Sequence, residues 1–234
     1  MPDLVSSVSG VATLVEPVRR ALYLYVVAQA EPVGRQQAAE QVGVAAHTAK
    51  FHLDKLALEG LLDVEYRRPG GRGGPGAGRP TKLYRRSRSE VSVCLPQRQY
   101  ELAGQLMALA IEASAREGLP VVEALHREAE RLGRSMAERR GTDVGADPHA
   151  SLSQILADEG FEPREAGDAV TLANCPFAGL AREHTELVCG MNLSLLDALV
   201  RALGASALSA RLDPAPGRCC VVLSPADEHQ APSH

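Results

Sequence analysis

The sequence predicts an α+β fold, mainly helical. An N-terminal winged helix-turn-helix is followed by a C-terminal α/β sensor domain carried on long connecting helices. Three observations predict this. Over 36–86 two helix-forming runs flank a glycine, and a Gly/Pro/Arg-rich stretch follows between two strand-like segments. Over 97–140 apolar residues recur at helical spacing in two long runs. Beyond 148 short helical and strand-like segments alternate, with cysteines at their ends. A chain of 234 residues suffices for such an arrangement. The expected boundaries are 14–92 for the helix-turn-helix, 97–140 for a helical linker and dimerisation segment, and 148–224 for the sensor domain.

Residues 1–14 are rich in Ser, Gly and Val, which predicts no regular structure at the N-terminus. Glu16–Gln29 is the first helix. Pro17 suits a first helical turn, and Val18, Ala21, Leu22, Tyr25 and Val26 form an inner stripe. Gln36–Gln41 is a short helix that Gly43 ends, since glycine takes positive φ without steric cost. Thr48–Leu58 is the second helix of the pair. Leu53, Leu56 and Leu58 are expected to be apolar contacts, with Phe51 near the inner face. Its first residues lack a Ser or Thr at Ala45 and Ala46, which leaves capping to His47 or Thr48.

A helix so placed presents His47, Thr48, Lys50, His52 and Lys55 on its outer side, where a recognition helix meets base edges and phosphates. Leu61–Tyr66 and the return segment 78–86 then form a hairpin. Arg67, Arg68, Arg72, Arg79, Lys82, Arg85, Arg86 and Arg88 follow one another without an intervening acid. Such a loop gains affinity by neutralising phosphates and releasing counterions. The expected partner is a double-stranded DNA operator. The total charge of −4 is not against this. Thirteen cations face nine acids up to Ser92, a net +4, which leaves −8 for the remainder. At physiological salt the local field decides.

Gln97–Glu117 and Pro120–Arg140 read as two long helices separated by Gly118. The first carries Leu102, Leu106, Leu109 and Ile111, and the second Val121, Val122, Leu125, Ala129 and Leu132. Paired helices of this kind predict a homodimer, which also suits two half-sites one DNA turn apart. Cys94, in an alternating apolar segment just before them, reads as a small buried hydrophobe. Further on, Ser151–Glu159 is helical, and Phe161–Arg164 and Asp168–Asn174 are strands. Ala178–Glu186 and Met191–Leu203 are helices, Ala207–Leu212 is a strand, and CCVVL from Cys219 is the last strand.

Cys175, Cys189, Cys219 and Cys220 lie at element ends, where side chains from different segments converge. Soft thiolates so gathered suit zinc or an iron–sulfur cluster, with His184 as a further ligand. Redox thiols and plain burial are the other readings of the same residues. Cys219 and Cys220 are adjacent and cannot point the same way on a strand. No run approaches the roughly 18 apolar residues of a membrane span. The N-terminus lacks a basic start followed by an apolar core, so no signal peptide is read and a cytoplasmic location is expected. In that compartment the five cysteines do not suggest a disulfide scaffold. A nucleophilic cysteine enzyme would need a base within reach. With no GxSxG elbow, phosphate loop or HExxH, the chain is read as not an enzyme.

The run AAEQVGVAAHTAKFHLDKLALEGLL followed by GRPTKLYRR resembles the winged-helix repressors of the ArsR/DeoR-like group, in particular the iron–sulfur-responsive Suf-operon repressors. The resemblance covers about the first ninety residues and extends more loosely beyond. It implies a dimeric transcriptional repressor controlled by a 4Fe–4S cluster, with zinc as the alternative metal. The cluster ligands carried over are Cys175, Cys189 and Cys219. The gap between the first two is about one residue longer than the family pattern, and the third position is doubled.

Overall fold

The computed structural model describes residues 4–67, 80–139, 148–205 and 207–226. The chain divides into two units, Met1–Val93 and Cys94–His234. It is α+β and mainly helical, with two small antiparallel sheets.

The first unit opens with α1 (Leu4–Thr13), where the composition predicts no structure. Its buried residues are Ser7, Gly10 and Thr13. A Cβ at Gly10 would stand 3.4 Å from Val91 Cγ1 and 3.6 Å from the Glu59 carbonyl. Small residues therefore let this helix lie close to its neighbours, a tertiary gain that outweighs poor intrinsic propensity. In α2 (Pro17–Val27) the Glu16 carboxylate accepts hydrogen bonds from the Val18 and Arg19 amides, the N-cap role more often played by Ser or Asp.

β1 (Val33–Gly34) leads into α3 (Arg35–Val42), which Gly43 ends at φ 74°. Its amide and that of Val44 both bond to the Ala39 carbonyl. Next comes α4 (Ala46–Leu58), then β2 (Leu62–Arg67) and β3 (Thr81–Arg86). The sheet order is β1-β3-β2, with Tyr84 of β3 opposite both Val33 and Val64. Leu22, Val26, Ala38, Ala39, Ala49, Leu53, Leu56, Leu62 and Tyr84 form the core.

The second unit begins with α5 (Tyr100–Glu117) and α6 (Val121–Arg139). The inner face of α5 is Ala103, Leu106, Ala110 and Ala113, while Leu109 and Ile111 are exposed. Val121 and Val122 are likewise exposed, and Leu125 and Ala129 are buried. α7 (Pro148–Asp158) precedes the hairpin β4 (Pro163–Ala166) and β5 (Ala169–Leu172). α8 (Ala178–Glu183) and α9 (Thr185–Ala202) follow, then β6 (Leu208–Leu212) and β7 (Val221–Pro225). The four strands run in the order β4-β5-β7-β6, all antiparallel. An antiparallel sheet with helices makes this unit α+β rather than the expected α/β.

The axis of the unit is α9, which buries Val188, Cys189, Met191, Asn192, Leu195, Leu196, Ala198, Leu199 and Val200. Helix α6 approaches it at Gly133, where a Cβ would collide with the Leu195 carbonyl oxygen and stand 2.9 Å from the Leu199 amide nitrogen. Gly190 does not end a helix, as its type suggests. It lies inside α9, where an added Cβ would sit 3.0 Å from His126 Nε2. Here glycine marks a close approach. Among the described residues no helix is long and apolar enough to cross a membrane.

Candidate functional site

Two groups of residues carry chemistry, one in each unit. In the first, Ala49, Leu53 and Leu56 turn α4 inward. His47 and Lys50 are exposed and Thr48 and Lys55 half-buried. Phe51 is 64% exposed and Leu58 78%, where both are expected to contribute to the inner side. The reason is angular. At about 100° per residue, Phe51 lies some 200° round the helix from Leu53, and Leu58 the same from Leu56. His52 goes the other way. Its side chain is 12% exposed, with Nδ1 3.5 Å from Glu16 Oε2 and accepting from Arg19 Nε at 3.3 Å. It ties α4 to α2 instead of facing outward.

The cations of this surface are held by carboxylates. Asp54 accepts from Lys82 and from the Tyr84 hydroxyl at 2.7 Å, and Lys50 reaches its other oxygen at 3.1 Å. Burial pushes the Asp54 carboxyl up, but the bonds from Lys82, Tyr84 and Lys50 outweigh it and hold the pKa at about 2. Tyr84, buried and bonded to that carboxylate, is pushed well above the usual phenol range. Lys55 pairs with Glu59 at 2.5 Å. Arg67 pairs with Glu65 at 2.6 Å and Glu31 at 3.2 Å, and Arg85 lies 3.8 Å from Glu65. Arg68, Arg72 and Arg79 lie outside the described residues. The Asp54–Tyr84 hub is not legible in the sequence, because its two halves are 30 residues apart and neither belongs to a motif.

In the second unit Cys189 and Cys220 form a disulfide. Neither thiolate is thus a metal ligand, and the expectation that the cysteines build no disulfide is corrected. Cys219 is fully buried. Its amide donates to the Leu172 carbonyl at 2.8 Å, and Asn192 Nδ2 donates to its sulfur at 3.3 Å. The Cys219 thiol donates to Cys175, which lies in the loop just past β5.

That loop is fixed by Asn174. Its Nδ2 donates to the Gly160 carbonyl at 2.6 Å and the Gln97 carbonyl at 3.0 Å, and its Oδ1 accepts from Arg98. Arg98 Nη1 also donates to the Cys175 carbonyl at 3.3 Å. The bond from Cys219, the Phe177 amide and the Arg98 charge together bring the Cys175 thiol down to about 7, against the upward push of burial. The same arrangement pushes Cys219 far up.

His184 is exposed at the junction of α8 and α9. Among the described residues no three His, Cys, Asp or Glu side chains are arranged to hold a metal ion. The expected 4Fe–4S cluster, the zinc alternative, and Cys175, Cys189, Cys219, Cys220 and His184 as its ligands are corrected on this geometry. Four cysteines do converge, but as one disulfide and one thiol pair. Cys94 is exposed, not buried as its apolar neighbours suggest.

No family model matches the chain, and no curated protein does. Among solved structures it matches human N-acetylserotonin methyltransferase in complex with SAM, at 17% identity and a TM-score of 0.24. The match covers 68% of this chain and about half of that one, 52%. The identification with Suf-operon repressors, and with it the reading of a cluster-controlled transcriptional repressor, is corrected here. No family model places the chain among them, and among the described residues no group of side chains is arranged to hold the metal such control needs. The expectation that the chain is not an enzyme is withdrawn with it. At so low a TM-score the likeness assigns neither a fold nor a reaction to this chain.

Proposed function

We propose that residues 14–92, with α1 packed on them, form a winged helix-turn-helix that binds double-stranded DNA. In this reading α4 enters the major groove and the β2–β3 hairpin is the wing along the phosphates. The observation that carries it is the outer face of α4. His47, Lys50 and Phe51 stand out together from a helix whose other side is core, and α4 follows α3 across the left-handed Gly43 turn. Phe51 has the apolar, exposed character that suits a thymine methyl group, and Lys50 suits a guanine edge or a phosphate.

The first turn of α4 adds to this, because Ala45 leaves its amides without a side-chain cap and so open to a phosphate oxygen. Lys50, Lys55, Lys82, Arg67 and Arg85 would exchange carboxylate partners for phosphates, an isocoulombic swap with little desolvation cost. His52 serves this reading as a brace between α4 and α2. Arg68, Arg72 and Arg79, outside the described residues, add positive charge to the same stretch of sequence.

The exposed Leu109 and Ile111 of α5 and Val121 and Val122 of α6 support a homodimer joined through 97–140. Sedimentation of the full chain tests this, and a monomer at every concentration tried would set it aside.

The DNA reading is tested by titrating labelled duplexes with the full chain and its Lys50→Ala and Phe51→Ala variants. Lys50→Ala should weaken binding to every sequence by roughly threefold to tenfold. Phe51→Ala should cost about 1 kcal/mol on A·T-containing sites and little on G·C-only sites. Equal binding by all three proteins would remove α4 from the interface.

A further inference from the structure

Two of the cysteines outside the disulfide are a matched pair. Of the three free thiols, Cys94 is exposed, while Cys175 and Cys219 are hydrogen-bonded to each other. Two independent elements hold them there. The Cys219 backbone is tied to Leu172 at the end of β5, three residues before Cys175, and Asn192 of the central helix donates to the Cys219 sulfur. The loop carrying Cys175 is pinned by Asn174 and Arg98. Cys175 is partly exposed, so a small solute reaches it from solvent, and Cys219 waits behind it in the core.

We propose that Cys175 and Cys219 are a hydroperoxide-reactive dithiol that closes into a second disulfide beside Cys189–Cys220. The Cys175 thiolate attacks the terminal oxygen of the hydroperoxide. The O–O bond breaks, and the leaving alkoxide takes a proton to become an alcohol, or water from hydrogen peroxide. Cys175 is now a sulfenic acid. The Cys219 sulfur attacks it, the S–O bond breaks, and hydroxide leaves with the Cys219 proton as water. Two thiols have lost two electrons, and the peroxide has gained them.

The roles are fixed by the surroundings. Cys175 has the Arg98 guanidinium and the Phe177 amide to favour its thiolate. Cys219, buried and donating, keeps its proton until the sulfenic acid forms. Asn192 is a positioning residue, aiming the Cys219 sulfur through its amide.

The test uses the full chain treated with equimolar hydrogen peroxide at neutral pH, then alkylated after denaturation. The expected result is a fall from three alkylatable thiols to one, with Cys94 the survivor and the intact mass lower by two hydrogens. Cys219→Ser should instead hold a sulfenic acid at Cys175 that dimedone traps, and Cys175→Ser should leave Cys219 reduced. In Cys189→Ser/Cys220→Ser, peptide mapping should still join Cys175 to Cys219, which separates the new bond from the existing one. Oxidation of Cys94 with Cys175 and Cys219 untouched would overturn the proposal. So would irreversible oxygen uptake at Cys175 with Cys219 still alkylatable.

Discussion

Asp54 shows how one residue both holds the first unit and restrains its surface. It gathers Lys82, Lys50 and the Tyr84 hydroxyl on one carboxylate. Its folded pKa, about 2, lies below the ordinary value of 3.8. The stability it contributes is therefore complete above pH ~4 and lost as pH falls through about 2. The side chain is one-third exposed, so after solvent screening this amounts to on the order of 1 kcal/mol. Acid unfolding of Asp54→Asn followed by circular dichroism should show that increment gone near neutral pH and the two proteins converging near pH 2. The same substitution releases Lys50 and Lys82 and removes one negative charge, so it should tighten DNA binding by about fivefold.

Asn174 plays the corresponding part in the second unit, joining 97–98, 160 and the loop of Cys175 through three hydrogen bonds. Asn174→Ala strands the Gly160 carbonyl and should cost roughly 1–3 kcal/mol in denaturant melts. Asn174 is legible in the sequence only as the neighbour of a cysteine, since its partners lie up to 77 residues away.

At the scale of elements, helices with large apolar residues on one side are legible, and close approaches are not. The segments of α2, α3 and α4 follow from Leu22, Val26, Ala38, Leu53 and Leu56 at helical spacing and from the Gly43 stop. Helix α1 escapes the sequence pattern because it buries Ser7, Gly10 and Thr13, residues that read as loop. Small residues also make most of the inner face of α5, where Ala103, Ala110 and Ala113 join Leu106 against the core.

α9 begins six residues before the expected Met191, since Gly190 is a contact with His126 and not a stop. The packing of α6 on α9 depends on Gly133, where any Cβ meets backbone that cannot move aside. Gly133→Ala should therefore destabilise the second unit by about 1–3 kcal/mol or more, read as a lowered midpoint in urea. An equally stable variant would mean that the two helices are farther apart than described.

For the whole molecule, the division of charge is the feature that joins sequence to proposed function. A net +4 up to Ser92 and −8 after it places the cations in the unit where a duplex would lie. The cysteine centre stands outside that picture, as a thiol pair and a disulfide in the second unit. The convergence of the cysteines is legible from their positions at element ends. Their pairing is not, because it depends on which way each adjacent residue faces at the start of β7, and on Cys189 lying within α9 rather than after a helix.

The central claim, that the first unit grips duplex DNA through its cations, is tested most directly by the salt dependence of binding. Titration of the full chain into a labelled duplex of about 20 base pairs, between about 50 and about 200 mM salt, should lose roughly 100-fold in affinity if about four phosphates are neutralised. Binding that is indifferent to salt, or absent at the low-salt end, would contradict the account.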